Sequence, residues 1–167
     1  LQFGKAMSAA LFVLLLSVAG TKNALAQHLV ATLQHDGEIS CFYGADAFAY
    51  AHNAATDGDI ITLSGGNFSS ATITKAITLR GAGFLADSVP RALATVFPHS
   101  ITANVSNDTA SLTIEGVRFS SNFNYTNLSA PRFVKCYFDY FAGTNYSSIM
   151  SNAQFVNCRI KYLYACG

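Results

Sequence analysis

Charge is what this sequence has least of: Lys, Arg, Asp and Glu together make up 11% of its 167 residues. Ten basic residues against nine acidic ones leave no basic footprint, which argues against a nucleic-acid partner. No C-x-x-C pair and no Cys/His cluster at zinc spacing occurs, so neither a metal site nor a cofactor is expected. The Leu-x-x-Leu-x-Leu-x-x-Asn framework of a leucine-rich horseshoe is missing as well. His28, His35, His52 and His99 are scattered, and no Ser/His/Asp or Cys/His constellation can be built around them.

What is present begins with an export pattern. Lys5 supplies a basic start, Ala9 to Ala19 form an apolar run shorter than the roughly 20 residues a membrane span needs, and Ala24-Leu25-Ala26 fits a cleavage site. Residues 1 to 26 are therefore expected to be a signal peptide, with mature protein from Gln27 and no stable membrane anchor. The expected address is secreted, periplasmic or cell-surface. The chain opens on Leu1 and closes on Cys166-Gly167 directly after an apolar stretch, so an N-terminal piece of a longer product is expected.

Residues 27 to 58 read as a cap. Leu29 to Gln34 and Glu38 to Tyr43 flank His35-Asp36-Gly37, and an Asp-Gly pair tolerates the positive φ of a hairpin turn. Ala45 to Ala55 is alanine-rich and carries Asp46 in its first turn, which predicts a helix.

From Asp59 onward one eight-residue pattern recurs: ITLSGGNF at 61 to 68, ITLRGAGF at 77 to 84, LTIEGVRF at 112 to 119, PRFVKCYF at 131 to 138 and AQFVNCRI at 153 to 160. The starts lie 16, 35, 19 and 22 residues apart, which suits a coil of about 20 residues with an excursion or extra coil in the long step. Leu63, Leu79, Ile114, Phe133 and Phe155 occupy the third, inward position. Gly65, Gly81, Gly116, Lys135 and Asn157 mark a bend. Gly66, Ala82, Val117, Cys136 and Cys158 then point inward, as do Phe68, Phe84, Phe119, Phe138 and Ile160 at the eighth place. A β-sandwich also has short strands and turn signals, but five aligned octets favour a solenoid.

Residues 58 to 84, GDIITLSGGNFSSATITKAITLRGAGF, resemble the opening coils of the pectin-lyase-like β-helix superfamily, and ATLQHDGEISCFYGADAF before them is similar to a leader of secreted bacterial members. The resemblance spans about residues 31 to 160. It implies an all-β, right-handed parallel β-helix with an N-terminal β-hairpin and capping α-helix, its coils filling residues 59 to 167. It does not imply one activity, because this scaffold hosts lyases, hydrolases, adhesins and stalks.

A lyase of this type needs clustered acids for calcium and a nearby base. Here Asp57 and Asp59 read as turn and cap residues, while Asp87, Asp108, Glu115 and Asp139 are dispersed. Arg159-Ile160-Lys161 matches an element of polygalacturonase-like hydrolases, yet no Asn-Thr-Asp, Asp-Asp or His-Gly motif precedes it and Ile160 should point inward. No catalytic residue is assigned.

The outward seventh place runs Asn67, Gly83, Arg118, Tyr137, Arg159, a column that would present guanidinium and phenol groups to a sugar. Arg118, Tyr137 and Arg159 are the candidate ligand-binding residues, with Tyr140, Tyr146, Tyr162 and Tyr164 placed to extend them. Cys136 and Cys158 are expected as reduced or optionally paired thiols on adjacent coils, while spacing leaves all pairing with Cys41 and Cys166 open. Sequons at Asn67, Asn104, Asn107, Asn124, Asn127 and Asn145 read mainly as turn sequence. The reading is a non-catalytic module with a polysaccharide as partner. Its alternatives are the start of a lyase or glycoside hydrolase whose active site lies elsewhere, and an adhesin passenger.

Overall fold

The computed structural model describes residues 28–84, 94–106 and 110–164. The expected export segment, residues 1 to 26, lies outside them, as do Asp87, Asn107, Asp108 and Cys166.

The chain enters through a hairpin, β1 (Val30–His35) and β2 (Glu38–Tyr43), with His35 opposite Glu38. Asp36 and Gly37 carry φ of 48° and 84°, the left-handed pair that a two-residue turn requires. Helix α1 spans Ala47–Ala54, two residues later than the alanine run suggests at its start. Asp46 is consequently the N-cap rather than a first-turn residue, and its side chain makes no capping bond. The other end is held electrostatically. Lys75 Nζ donates to the carbonyls of His52 (2.7 Å), Asn53 (2.9 Å) and Ala55 (2.6 Å), a cation where the helix dipole is negative. Ala47, Phe48, Ala51 and His52 face inward.

The remainder is a parallel β-solenoid of about four turns. One wall is built from β3 (Ile60–Leu63), β6 (Thr78–Arg80), β9 (Thr113–Glu115), β11 (Arg132–Val134) and β14 (Gln154–Val156), in that order. β1 joins its first strand antiparallel, so the hairpin closes the base of this wall. The second wall is β4 (Gly66–Asn67), β7 (Thr95–Phe97), β10 (Val117–Ser129), β12 (Tyr137–Gly143) and β15 (Arg159–Tyr164). A third row holds β5 (Thr72–Ile73), β8 (Ile101–Val105), the second half of β10, and β13 (Ile149–Ser151).

Register confirms the stacking and corrects the alignment at two places. Ile61, Leu79, Ile114, Phe133 and Phe155 sit one above another on the first wall. Ile61, not Leu63, is thus the partner of Leu79, and Leu63 lies opposite Ala31 of the hairpin. A slip of two residues keeps every side chain on its own face, so hydrophobic alternation cannot detect it. The second correction concerns the long step. Thr95, Val96 and Phe97 take the places assigned to Ala82, Gly83 and Phe84: Thr95 lies opposite Gly66 and Val117, and Phe97 opposite Phe119. Phe84 is only half-buried. The long step is therefore an excursion leaving the second coil at its bend, not an extra coil.

The fully buried Thr95 closes the neck of that excursion. Its hydroxyl donates to Ser64 O at 2.8 Å and accepts from Ala82 N at 2.7 Å, and its own N donates to Gly83 O at 2.9 Å. Burial of this hydroxyl is tolerated because both its donor and an acceptor lone pair are used.

The corners have the expected left-handed backbone at Gly116 (φ 66°), Lys135 (50°) and Asn157 (53°). Ala130 (47°) and Asn152 (54°) make a second such corner. Inside, Phe97, Phe119 and Phe138 stack at 5.6 and 5.1 Å with nearly parallel planes, a direct product of one ring per coil at one inward position. Phe48 of α1 meets Phe97 edge-on at 5.3 Å and so plugs the lower end of the shaft.

Candidate functional site

The second wall carries the outward column. Its observed order is Asn67, Val96, Arg118, Tyr137, Arg159, with Val96 replacing Gly83 for the reason just given. In-register stacking brings the Arg118 guanidinium 4.9 Å from the Tyr137 ring centre and the Arg159 guanidinium 5.5 Å from it. The two arginines come from the coils on either side, so the phenol is sandwiched between cations. This changes what each group can do. A sugar ring cannot lie on a tyrosine face that already holds a guanidinium, so the accessible chemistry is the N–H edges of the arginines. Arg118 is half-buried and its Nε is buried without a hydrogen-bond partner, whereas Arg159 is exposed.

Farther along the same strands the tyrosines gather. Tyr140 and Tyr162 are register partners and stack at 4.9 Å, and Tyr164 lies 6.2 Å from Tyr140 with an interplanar angle of 11°. Lys161 Nζ stands 5.1 Å from the Tyr162 ring, a third cation–π contact that the residue types alone did not suggest. Tyr146 is separate from this stack, 90% exposed on the turn after β12. The Arg159-Ile160-Lys161 triplet is split as expected: Ile160 packs against the core, while Arg159 and Lys161 are exposed.

A second polar cluster sits at the base, where sequence reading placed only scattered residues. His35 Nδ1 lies 2.9 and 3.0 Å from the two carboxylate oxygens of Asp59. Thr56 donates to Asp59 Oδ2 through its backbone N at 2.6 Å and through its hydroxyl at 3.2 Å. Burial of Asp59 pushes its carboxyl upward, but the bonds from Thr56 and His35 outweigh it and hold the group below the usual carboxylate range. The same Asp59 bond raises His35 above an ordinary histidine, with Asp36 and Glu38 adding smaller contributions. Asp57 is a structural acceptor for Ala76 N at 2.7 Å. An open pocket of about 350 Å³ lies beside the cluster, between the hairpin turn and the entry to β3.

The Thr56 hydroxyl donates to the Asp59 carboxylate and also lies 3.3 Å from His35 Nδ1, so the three side chains form one hydrogen-bonded group that can hold and pass a proton. It is a clamp between hairpin and first coil. No sequence spacing could reveal it, because His35 and Asp59 meet only once β1 lies antiparallel on β3 with Gln34 opposite Ile60. His52 is likewise structural: its Nε2 accepts from Thr74 N at 3.1 Å, and burial with the nearby Lys75 lowers its basicity. Among the described residues, no three His, Cys, Asp or Glu side chains converge as a metal-holding group.

No known protein family, no curated protein and no solved structure matches this chain.

Proposed function

We propose that this chain is an exported, non-catalytic β-helix module of pectin-lyase-like type that holds an acidic polysaccharide against its second wall. The observation that carries the reading is the Arg118–Tyr137–Arg159 sandwich. It fixes two guanidiniums two coils apart, roughly 10 Å at about 4.8 Å per coil. A guanidinium edge pairs with a carboxylate through two parallel N–H bonds, and holding the fork against a ring beforehand reduces the entropy lost on binding. A uronate chain presents carboxylates along an extended ligand, whereas a neutral glucan does not. The tyrosine hydroxyls of the neighbouring stack add donors and acceptors for sugar hydroxyls. The basic start, apolar run and Ala24-Leu25-Ala26 at the head of the chain support export.

The test is retention of the folded chain on immobilised polygalacturonate and on dextran, at low and high salt. The expected outcome is retention by the acidic polymer alone, weakened by salt and reduced about three- to tenfold by Arg159→Gln, as loss of one exposed charge-assisted contact implies. Equal retention on dextran, or no response to Arg159→Gln and Tyr137→Ala, would overturn the reading. Release of reducing ends or unsaturated uronides would instead make the chain an enzyme.

A further inference from the structure

The inward column just past the first corner ends in two cysteines. Tyr137 pairs with Arg159, and Arg159 N donates to Cys136 O at 2.9 Å, which sets Cys136 and Cys158 one directly above the other on consecutive coils. Their nearest backbone carbonyls correspond. Cys136 Sγ lies 3.3 Å from Val134 O and 3.4 Å from Ile114 O, while Cys158 Sγ lies 3.5 Å from Val156 O and 3.3 Å from Phe133 O. Their register places both side chains on the same inward side of consecutive strands. Both are free, Cys136 fully buried and Cys158 partly exposed. Cys41 differs on every count: it is exposed on β2 with Thr32 opposite.

We propose that Cys136 and Cys158 form a redox site, closing into a labile disulfide between coils when the protein meets a small disulfide oxidant such as oxidised glutathione. Adjacent strands put the α-carbons about 4.8 Å apart, inside the range of about 4.4–6.8 Å that a disulfide spans. The β-carbons of in-register residues are about equally far apart, wider than the roughly 3.5–4.5 Å of a relaxed bridge. The bond therefore forms under strain, and strained bridges are the easily reduced ones.

Access and acidity fix the order of events. The neighbouring Cys136 lowers the Cys158 thiol below the ordinary cysteine range and so favours its thiolate, while Cys158 and then burial push the Cys136 thiol upward. The Cys158 thiolate attacks one sulfur of the oxidant, breaking its S–S bond and expelling a glutathione thiolate. Cys136 then gives up its proton and attacks the Cys158 sulfur of the mixed disulfide, expelling the second glutathione thiolate. The protein loses two protons and two electrons, which convert one glutathione disulfide into two glutathione thiols.

The experiment exposes the folded chain to oxidised glutathione near neutral pH, traps free thiols with an alkylating agent and maps the peptides. The expected result is a Cys136–Cys158 linked peptide as the main product, reopened by excess reduced glutathione, with Cys41 found only as alkylated thiol or glutathione adduct. Cys136→Ala and Cys136→Ser should each halt the reaction at a stable glutathione adduct on Cys158. Cys158→Ser should leave Cys136 unreactive until the chain is unfolded. The proposal is overturned if wild-type Cys158 accumulates the adduct while Cys136 stays reduced, or if the bridge joins either residue to Cys41 or Cys166.

Discussion

The base and the outermost described coil of the solenoid are built from the same motif and differ in what covers them. At the base the hairpin completes the first wall and α1 closes the shaft, so Phe48, Ile61 and Leu79 are fully buried. At the other end Phe155 is 37% exposed, although it continues the ladder in which Phe133 is 0% exposed. Leu163 is 61% exposed, whereas Phe141, its register partner one coil below, is fully buried. Burial in this architecture is thus conferred by the next coil and not by the octet itself. Within the described residues, burial is complete at the capped end and thins at β14 and β15, whose outer edges have no strand partner among the described residues.

The comparison breaks most plainly at the phenylalanines. Phe138→Ala removes a ring stacked on Phe119 and packed edge-on against Phe123 and Phe133, and should cost about 3–5 kcal/mol in denaturant unfolding. Phe155→Ala at the exposed end should cost no more than about half of that, since much of its surface already meets solvent. Equal losses would mean that the outermost described coil is as well covered as the middle.

Backbone approach gives the next largest effect. A β-carbon on Gly81 would stand 2.5 Å from Gly116 O and 2.9 Å from Thr95 Cβ, so Gly81→Ala should destabilise by about 1–3 kcal/mol. The outer coils tolerate side chains at the same corner. Lys135 adopts φ 50° at a cost of about 1–2 kcal/mol, so Lys135→Gly should gain up to about 1 kcal/mol after its added chain entropy is subtracted. A loss on Lys135→Gly would show that the side chain contributes more than the corner costs.

The smallest effect is confined to the base and depends on pH. His35 is raised by Asp59, so its contribution is complete below the ordinary histidine value near 6.5 and is lost as pH rises through the higher folded value. Asp59 is lowered, so its contribution is complete above the ordinary value near 3.8 and is lost as pH falls through the folded one. Amide protection in β1, taken relative to the intrinsic exchange rate at each pH, should therefore be greatest between these limits and fall on both sides, while protection in β12 stays unchanged. Asp59→Asn should abolish the dependence, and a similar response in β12 would contradict a local clamp.

Much of the fold was legible, for identifiable reasons. Asp36-Gly37 announced its turn because few residue pairs accept two positive φ values in succession. The octets from Leu112 onward aligned correctly because their corners hold Gly116, Lys135 and Asn157 at one spacing, which pins Ile114, Phe133 and Phe155 together. The first two octets misled. The first is offset by two residues, to which a period of two is blind, and Gly-Ala-Gly-Phe at 81 to 84 imitates a strand that Thr95-Val96-Phe97 supplies from beyond the excursion. The outward arginines and Tyr137 could be placed from their seventh positions, but their mutual sandwich follows from side-chain reach, which spacing does not encode. The His35–Asp59 clamp was hidden because it joins an antiparallel cap to a parallel coil.

The central claim is that consecutive coils stack side by side in one direction with Ile61, Leu79, Ile114 and Phe133 as successive rungs. It is tested most directly by nuclear Overhauser contacts among their side chains in a methyl- and ring-labelled sample. The account predicts contacts of Leu79 with Ile61 and Ile114, and of Ile114 with Phe133, without the short α-proton pairs of antiparallel strands beyond the β1–β2 and β1–β3 pairings. Direct stacking of Leu79 on Leu63 in place of Ile61, or antiparallel α-proton contacts between β9 and β11, would contradict it.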